Sequence, residues 1–223
     1  MFTNLQLEEM KAEYKQLLSS VQRPGIENLI EWLDKCDFYE APSSTKYHNN
    51  CKGGLLAHSL NVYKAAVKIR DNMKDIALPE KNIGSISDET LIVAALLHDL
   101  CKINYYVPAI KTWKDENAPY GNQWKKYIAY DINDTFPLGH GEKSVLIAQQ
   151  FIRLTGEEIL AIRWHMGFTD PGTFLSFYEK PAFMKAINDV PLVMVIAQAD
   201  CFASFLMETE YNLKQMRLYD RLF

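Results

Sequence analysis

The sequence predicts an all-α fold with one small β insertion. Two observations carry that expectation: apolar residues recur at helical spacing along most of the 223-residue chain, and a single stretch of about 104–137 breaks that period. A third, 48% hydrophobic against 23% charged residues, says that the fold comes from burial, since the balance is far from that of chains that stay disordered. The length suits one domain over 1–223, and no repeat, low-complexity stretch or linker-like run divides it.

The elements follow in order. Leu7, Met10, Tyr14, Leu17 and Leu18 mark a first helix, and Arg23-Pro24-Gly25 breaks it before a short second helix through Leu29, Ile30 and Leu33. These two are expected to form an N-terminal cap over 1–46, packed on a core over 47–210. From Gly53 to Met73, Leu55, Leu56, Val62, Ala65, Ala66 and Ile69 predict a third helix, with His58 near its start. Ser87 is placed to cap the next, whose run Leu91 to Leu97 is apolar on every side and therefore reads as buried; it ends in His98-Asp99. Between Asn104 and Pro137, alternating stretches at Tyr105–Trp113 and Trp124–Ile132 flank the turn-rich Asn117-Ala118-Pro119-Tyr120-Gly121, the pattern of a β-hairpin or flap inserted into a helical protein. Helices resume at about Gly141 to Leu154, after the capping box Thr155-Gly156-Glu157-Glu158 up to Gly167, and from about Val190 to Glu208.

Composition also narrows the function. No apolar run approaches the roughly 18–20 residues that cross a bilayer, and the acidic start MFTNLQLEEMKAEYK lacks the basic and apolar regions of a signal peptide, so a cytoplasmic protein without a membrane partner is expected. Cys36, Cys51, Cys101 and Cys201 make no CxxC pair and sit on apolar or semi-apolar segments, which predicts free thiols. A formal charge of −4 argues against coating of duplex nucleic acid, leaving a small phosphorylated substrate or a short single strand as the partner. Oligomeric state is not legible.

Four of the five histidines, His58, His98, His140 and His165, lie at or near helical stretches beside apolar residues. Asp99 and Asp200 end two apolar runs, LIVAALLHD and PLVMVIAQAD. An ionised carboxylate buried in such a run needs a cation, a metal or several donors nearby. Four imidazoles and two carboxylates, one of them shared, suffice for two metal ions, an arrangement suited to phosphoester hydrolysis.

The runs GGLLAHSLNV, AALLHDLCK, PLGHGEKSV, AIRWHMG and AQADCFAS give the order His, His-Asp, His, His, Asp over about residues 47–205. In that order the chain resembles the HD-domain superfamily of metal-dependent phosphohydrolases in its six-ligand binuclear form. It is most similar to the HD portion of the 3′→5′ exoribonucleases of YhaM type and to stand-alone bacterial and phage HD hydrolases. It departs from both: no OB domain precedes Gly53, the common HDxGK reads His98-Asp99-Leu100-Cys101-Lys102, and the GYP signature of cyclic-di-GMP phosphodiesterases is absent.

The resemblance implies that His58, His98, Asp99 and Asp200 hold one divalent metal and that His140, His165 and the bridging Asp99 hold the other. The ions could be Fe, Mn, Ni, Co, Zn or Mg. A hydroxide bridging them would cleave a phosphomonoester or phosphodiester bond of a nucleotide or short oligonucleotide, with Asp99 and Lys102 as the catalytic residues and Lys102 also on a substrate phosphate. His48, Lys143, Trp113 and Lys125 are further candidates for substrate contact, the last two in the aromatic and basic insertion. Two other uses of the same ligands stand beside hydrolysis: a di-iron oxygenase, and a non-catalytic nucleotide-binding protein.

Overall fold

A computed structural model describes residues 2–45, 47–115, 123–169 and 179–208. The fold is helical with a two-stranded insertion, as the periodicity predicts. Helix α1 (Asn4–Ser19) opens on a capping box between Thr3 and Gln6, and α2 (Ile26–Lys35) follows the Pro-Gly break. Then come α3 (Gly54–Met73) and α4 (Asp88–Leu97), the latter capped by the Ser87 hydroxyl on the Thr90 amide. The insertion is an antiparallel hairpin of β1 (Tyr106–Asp115) and β2 (Gln123–Ile132), in a register that pairs Tyr106 with Ile132 and Trp113 with Lys125. Its expected turn at 117–121 and the Trp113 side chain lie outside the described residues.

Helices α5 (His140–Ala148) and α6 (Gly156–Arg163) are shorter than their apolar patterns suggest. Trp164, His165 and Met166 therefore leave α6 in a turn. No expectation falls on α7 (Glu179–Asp189), although Phe183, Ala186 and Ile187 stand at helical spacing and the first two are buried. Helix α8 (Pro191–Phe202) continues into a π-helical turn, Ala203–Met207.

Helix α4 explains the architecture. Ile92, Val93, Leu96 and Leu97 join one apolar cluster with Tyr14, Leu18, Leu29 and Leu33 of α1 and α2, while Leu91, Ala94 and Ala95 join a second with Phe183, Leu192, Val193 and Ile196. A helix sandwiched between two cores must be apolar all round, and the end of such a helix lies in the middle of the protein. The N-terminal helices are tied across the core by polar contacts too: the Tyr14 hydroxyl donates to the Leu96 carbonyl (2.9 Å), and Arg23 grips the fully buried Glu158 of α6 with two N–H···O bonds of 2.6 and 2.7 Å. The four cysteines are free, with Cys101 buried. Among the described residues no single helix is long and apolar enough to cross a membrane.

Candidate metal centre

Four helices end or turn at one point. Helix α3 brings His58 in its second turn, and its start is pressed so close to the preceding loop that a Cβ on Gly54 would lie 1.9 Å from the Asn49 carbonyl oxygen. Helix α4 delivers His98 at its C-cap and Asp99 at φ −110°, ψ 22°, after which Leu100–Lys102 form a short 3₁₀ turn. His165 follows the end of α6, and Asp200 projects from α8. His140 is the first residue of α5, and Gly141 lets that helix abut α6: a Cβ there would sit 2.1 Å from the Arg163 carbonyl oxygen.

Three imidazoles are oriented in the same way. His98 Nδ1 lies 2.7 Å from the Ala95 carbonyl oxygen, His165 Nδ1 lies 2.7 Å from the Ile162 carbonyl oxygen, and His58 Nδ1 lies 3.1 Å from both carboxylate oxygens of Glu208. None of those oxygens has a proton to give, so each Nδ1 is the donor and each Nε2 offers a lone pair inward. The inward atoms crowd together: His58 Nε2 is 3.3 Å from His98 Nε2, 3.2 Å from Asp200 Oδ1 and 3.6 Å from Asp99 Oδ2. Asp99 Oδ2 is 3.3 Å from His98 Nε2, and Asp99 Oδ1 is 3.5 Å from His165 Nε2, a buried atom with no hydrogen-bond partner. Acceptors facing acceptors in a buried cluster require positive charge among them, which a proton on His58 supplies in the metal-free protein and a bound cation would supply in its place. The donor set, imidazole Nε2 with carboxylate oxygen, fits a divalent metal, and two triads that use the inward atoms, His58/His98/Asp200 and His98/Asp99/His165, have ligand atoms close enough to share one; a third group, His48/His58/Glu208, is as closely spaced.

The electrostatics agree. Burial pushes the Asp99 carboxyl up, but Lys102, His98 and His165 outweigh it and hold Asp99 well below the usual carboxylate range; Asp200, buried against His58, is held down in the same way. Burial lowers His58, yet its bonds to Asp200 and Glu208 carry it to about 10, and His165 is raised by Asp99 against the same penalty. Lys102, with Nζ 2.6 Å from Asp99 Oδ2, keeps its charge above the ordinary lysine value despite burial.

The site opens into a cavity of about 770 Å³ whose walls include His48, Lys102, Tyr105, Tyr106, His140 and Asp200. His48 and Lys102 both line this cavity, and His48 Nε2 is a buried atom without a hydrogen-bond partner among the described residues. Burial drops the His48 pKa to about 4. Lys143 lies elsewhere: it pairs with Asp134 at 2.5 Å, sits over the Tyr105 ring and lines an adjoining 480 Å³ cavity. Lys125 is an exposed residue of β2 and is not among the described residues that line the cavity. Glu142, which follows His140, pairs with Arg163. Glu208 carries no sequence expectation beyond ending a helix, although it stands two turns after Asp200; it binds His58 and the Asn61 side-chain amide. His140 stands apart from the two triads, its Nδ1 3.4 Å from the Cys101 sulfur.

A family model described as HD domain matches residues 55–204. The chain belongs to the HD-domain family. All six residues of the ordered pattern, from His58 to Asp200, fall inside the matched HD segment, whereas His48 and Glu208 flank it. The HD chain is also 35% identical over 188 residues to a dihydroneopterin 2′,3′-cyclic phosphate phosphodiesterase of Methanocaldococcus jannaschii, an alignment that covers 81% of this chain and 66% of that protein. The relative is a phosphodiesterase, in keeping with an HD-superfamily phosphohydrolase; the likeness to exoribonucleases of YhaM type rests on the motifs alone. No solved structure matches.

Proposed function

We propose that this HD protein is a metal-dependent phosphohydrolase that opens a small cyclic phosphodiester, of the kind carried by a nucleotide or a nucleotide-like heterocycle, to a phosphomonoester. The observation that carries the reading is the convergence of three Nε2 lone pairs on two buried carboxylates, each Nδ1 being pinned from behind. His58, His98, Asp99 and Asp200 would hold one divalent ion, and Asp99, His140 and His165 a second. Bound there, such ions supply a water of lowered pKa and positive charge against the phosphoryl oxygens. The curated relative's printed activity supports the diester class, and the cavity has the volume of an ordinary small-molecule site.

The protein's own groups do the rest. Lys102 Nζ, now on Asp99 Oδ2, lines the cavity and is charged whether or not a substrate is present, so it can follow a phosphoryl oxygen as negative charge develops. His48 presents a neutral imidazole edge to the non-reacting part of the substrate. Tyr105 and Tyr106, whose rings meet edge-on at 5.0 Å, give an aromatic wall for a planar heterocycle. The domain arrangement that goes with this is a helical cap over 1–46 on an HD core over 47–210.

The test is to strip the protein with a chelator, reload it with Mn²⁺, Co²⁺, Fe²⁺ or Zn²⁺, and assay a 2′,3′-cyclic phosphate, a linear diester and a monoester under air and under nitrogen. Metal-dependent, oxygen-independent opening of the cyclic phosphate is expected. Turnover that requires oxygen, or no binding of any metal, would sink the proposal.

A further inference from the structure

His140 is the outlier of the centre. It is exposed where the other three histidines are buried, and it opens a helix instead of sitting within or behind one. Its ring has one hydrogen-bond contact among the described residues, and the partner is a thiol. Cys101 stands at the position that reads glycine in the common HDxGK pattern, so this chain has a side chain there to contact α5.

The local geometry says what. Cys101 lies on the turn Leu100–Lys102 that follows Asp99, with Sγ 3.4 Å from His140 Nδ1 and its backbone N–H donating to the Ser144 hydroxyl at 3.1 Å. Ser144 is fully buried and lies one turn after His140 on the same face of α5. One residue is therefore gripped at two points by one helix, by its backbone through Ser144 and by its side chain through His140. Three of the four histidines turn Nδ1 to an oxygen acceptor; His140 turns it to the Cys101 sulfur, whose S–H has Asp99 Oδ1 as its own acceptor at 3.9 Å, so the sulfur is free to accept from Nδ1 and Nε2 keeps the lone pair.

We infer that Cys101 and Ser144 form a clamp that fixes the register of α5 on the Asp99 turn and aims His140 at the second metal position. Both are positioning residues. The inference rests on the ligand assignment proposed above. An α5 that slid or rotated by a fraction of a turn would shift His140 relative to the Asp99 turn while leaving His58, His98 and Asp200, which are held by α3, α4 and α8, undisturbed. The clamp thus governs the second metal and not the first.

The experiment titrates chelator-stripped protein with Mn²⁺ alone by calorimetry, with circular dichroism to confirm the fold, for the wild type and for His140→Ala, Cys101→Ala, Cys101→Ser and Ser144→Ala. The wild type should show two classes of site. Cys101→Ala and Ser144→Ala should each weaken the second by about 10- to 100-fold, the usual effect of removing a ligand's orienting partner, and leave the first within about threefold. Cys101→Ser, whose hydroxyl still accepts from Nδ1, should recover most of the loss, which general loosening of the helix would not. If His140→Ala removes the second site but Cys101→Ala and Ser144→Ala leave it within about threefold of wild type, the clamp is wrong. If His140→Ala leaves both sites intact, the ligand assignment is wrong and the clamp falls with it.

Discussion

Glu208 holds both of its carboxylate oxygens 3.1 Å from His58 Nδ1, on the side of the ring away from the three inward contacts of Nε2. That fixes the tautomer and raises the basicity of Nε2, the proposed ligand nitrogen. Glu208→Ala should therefore weaken the first metal by about 10- to 100-fold with little change in the second, and Glu208→Gln should fall between, because its amide oxygen still accepts from Nδ1. Calorimetric titration with Mn²⁺ checks both, and an unchanged first site in Glu208→Ala would show that His58 needs no orienting partner.

Under the proposed ligand set Lys102 competes with metal for Asp99, since its ammonium lies 2.6 Å from Oδ2. Removing it should separate binding from turnover. Lys102→Gln should bind metal at least as tightly as wild type, while its kcat on a cyclic phosphodiester falls by about 10²- to 10³-fold, the range for losing one group aimed at developing charge. A variant that keeps its kcat, or one that loses metal, would show that the lysine only serves the fold.

The metal-free protein should have a two-sided pH profile of stability. His58 is raised to about 10, so the stabilisation from its charged form is complete below the ordinary histidine value of about 6.5 and is lost as pH rises through about 10. His48 is lowered to about 4, so its contribution is complete above about 6.5 and is lost as pH falls towards 4. The Tm of chelator-treated protein should peak near neutrality and decline on both sides. Saturating metal should remove the alkaline decline, because the ion replaces the proton at His58. Thermal scans between pH 4 and 10, with and without Mn²⁺, provide the check.

How much of this was legible in the sequence depends on how local each signal is. The run Leu91 to Leu97 announces a buried helix by itself, and the alternating stretches announce the hairpin by themselves, so both stand where expected. Asp99 and Asp200 stand out in the sequence because each ends an apolar run, which is a local anomaly, whereas His140 in PLGHGEKSV carries no such signal and is proposed through the family pattern alone. Glu208 and Cys101 were not assigned roles because theirs are relations across 150 and 39 residues, visible only once α3 meets the π-helical turn and α5 meets the Asp99 turn. Lys143 shows the opposite relation: three residues after His140 in sequence it reads as a phosphate contact, and its partner in the structure is Asp134, a pairing the sequence does not announce.

Arg23 offers a further case, because the sequence marks it as part of a helix break and Glu158 as part of a capping box. Both readings hold, and Glu158 does return a bond to the Thr155 amide at 2.9 Å. The same carboxylate is also the buried end of a bidentate pair that, with the Arg23–Glu89 bond at 2.7 Å, ties the segment between α1 and α2 to α4 and α6. Deleting the guanidinium leaves a fully buried carboxylate without its countercharge, so Arg23→Ala should lower stability by about 3–5 kcal/mol. Glu89 and Glu158 stand in the first turns of α4 and α6, whereas His98 and His165 follow the opposite ends of the same helices, so the variant that remains folded should bind Mn²⁺ with wild-type affinity. Replacing both partners, Arg23→Met with Glu158→Leu, should recover much of the lost stability, since no charge is then stranded. Urea denaturation of the single and double variants measures this directly: a double variant no more stable than Arg23→Ala would mean that the pair contributes through its specific geometry, by fixing how the N-terminal helices seat on α6.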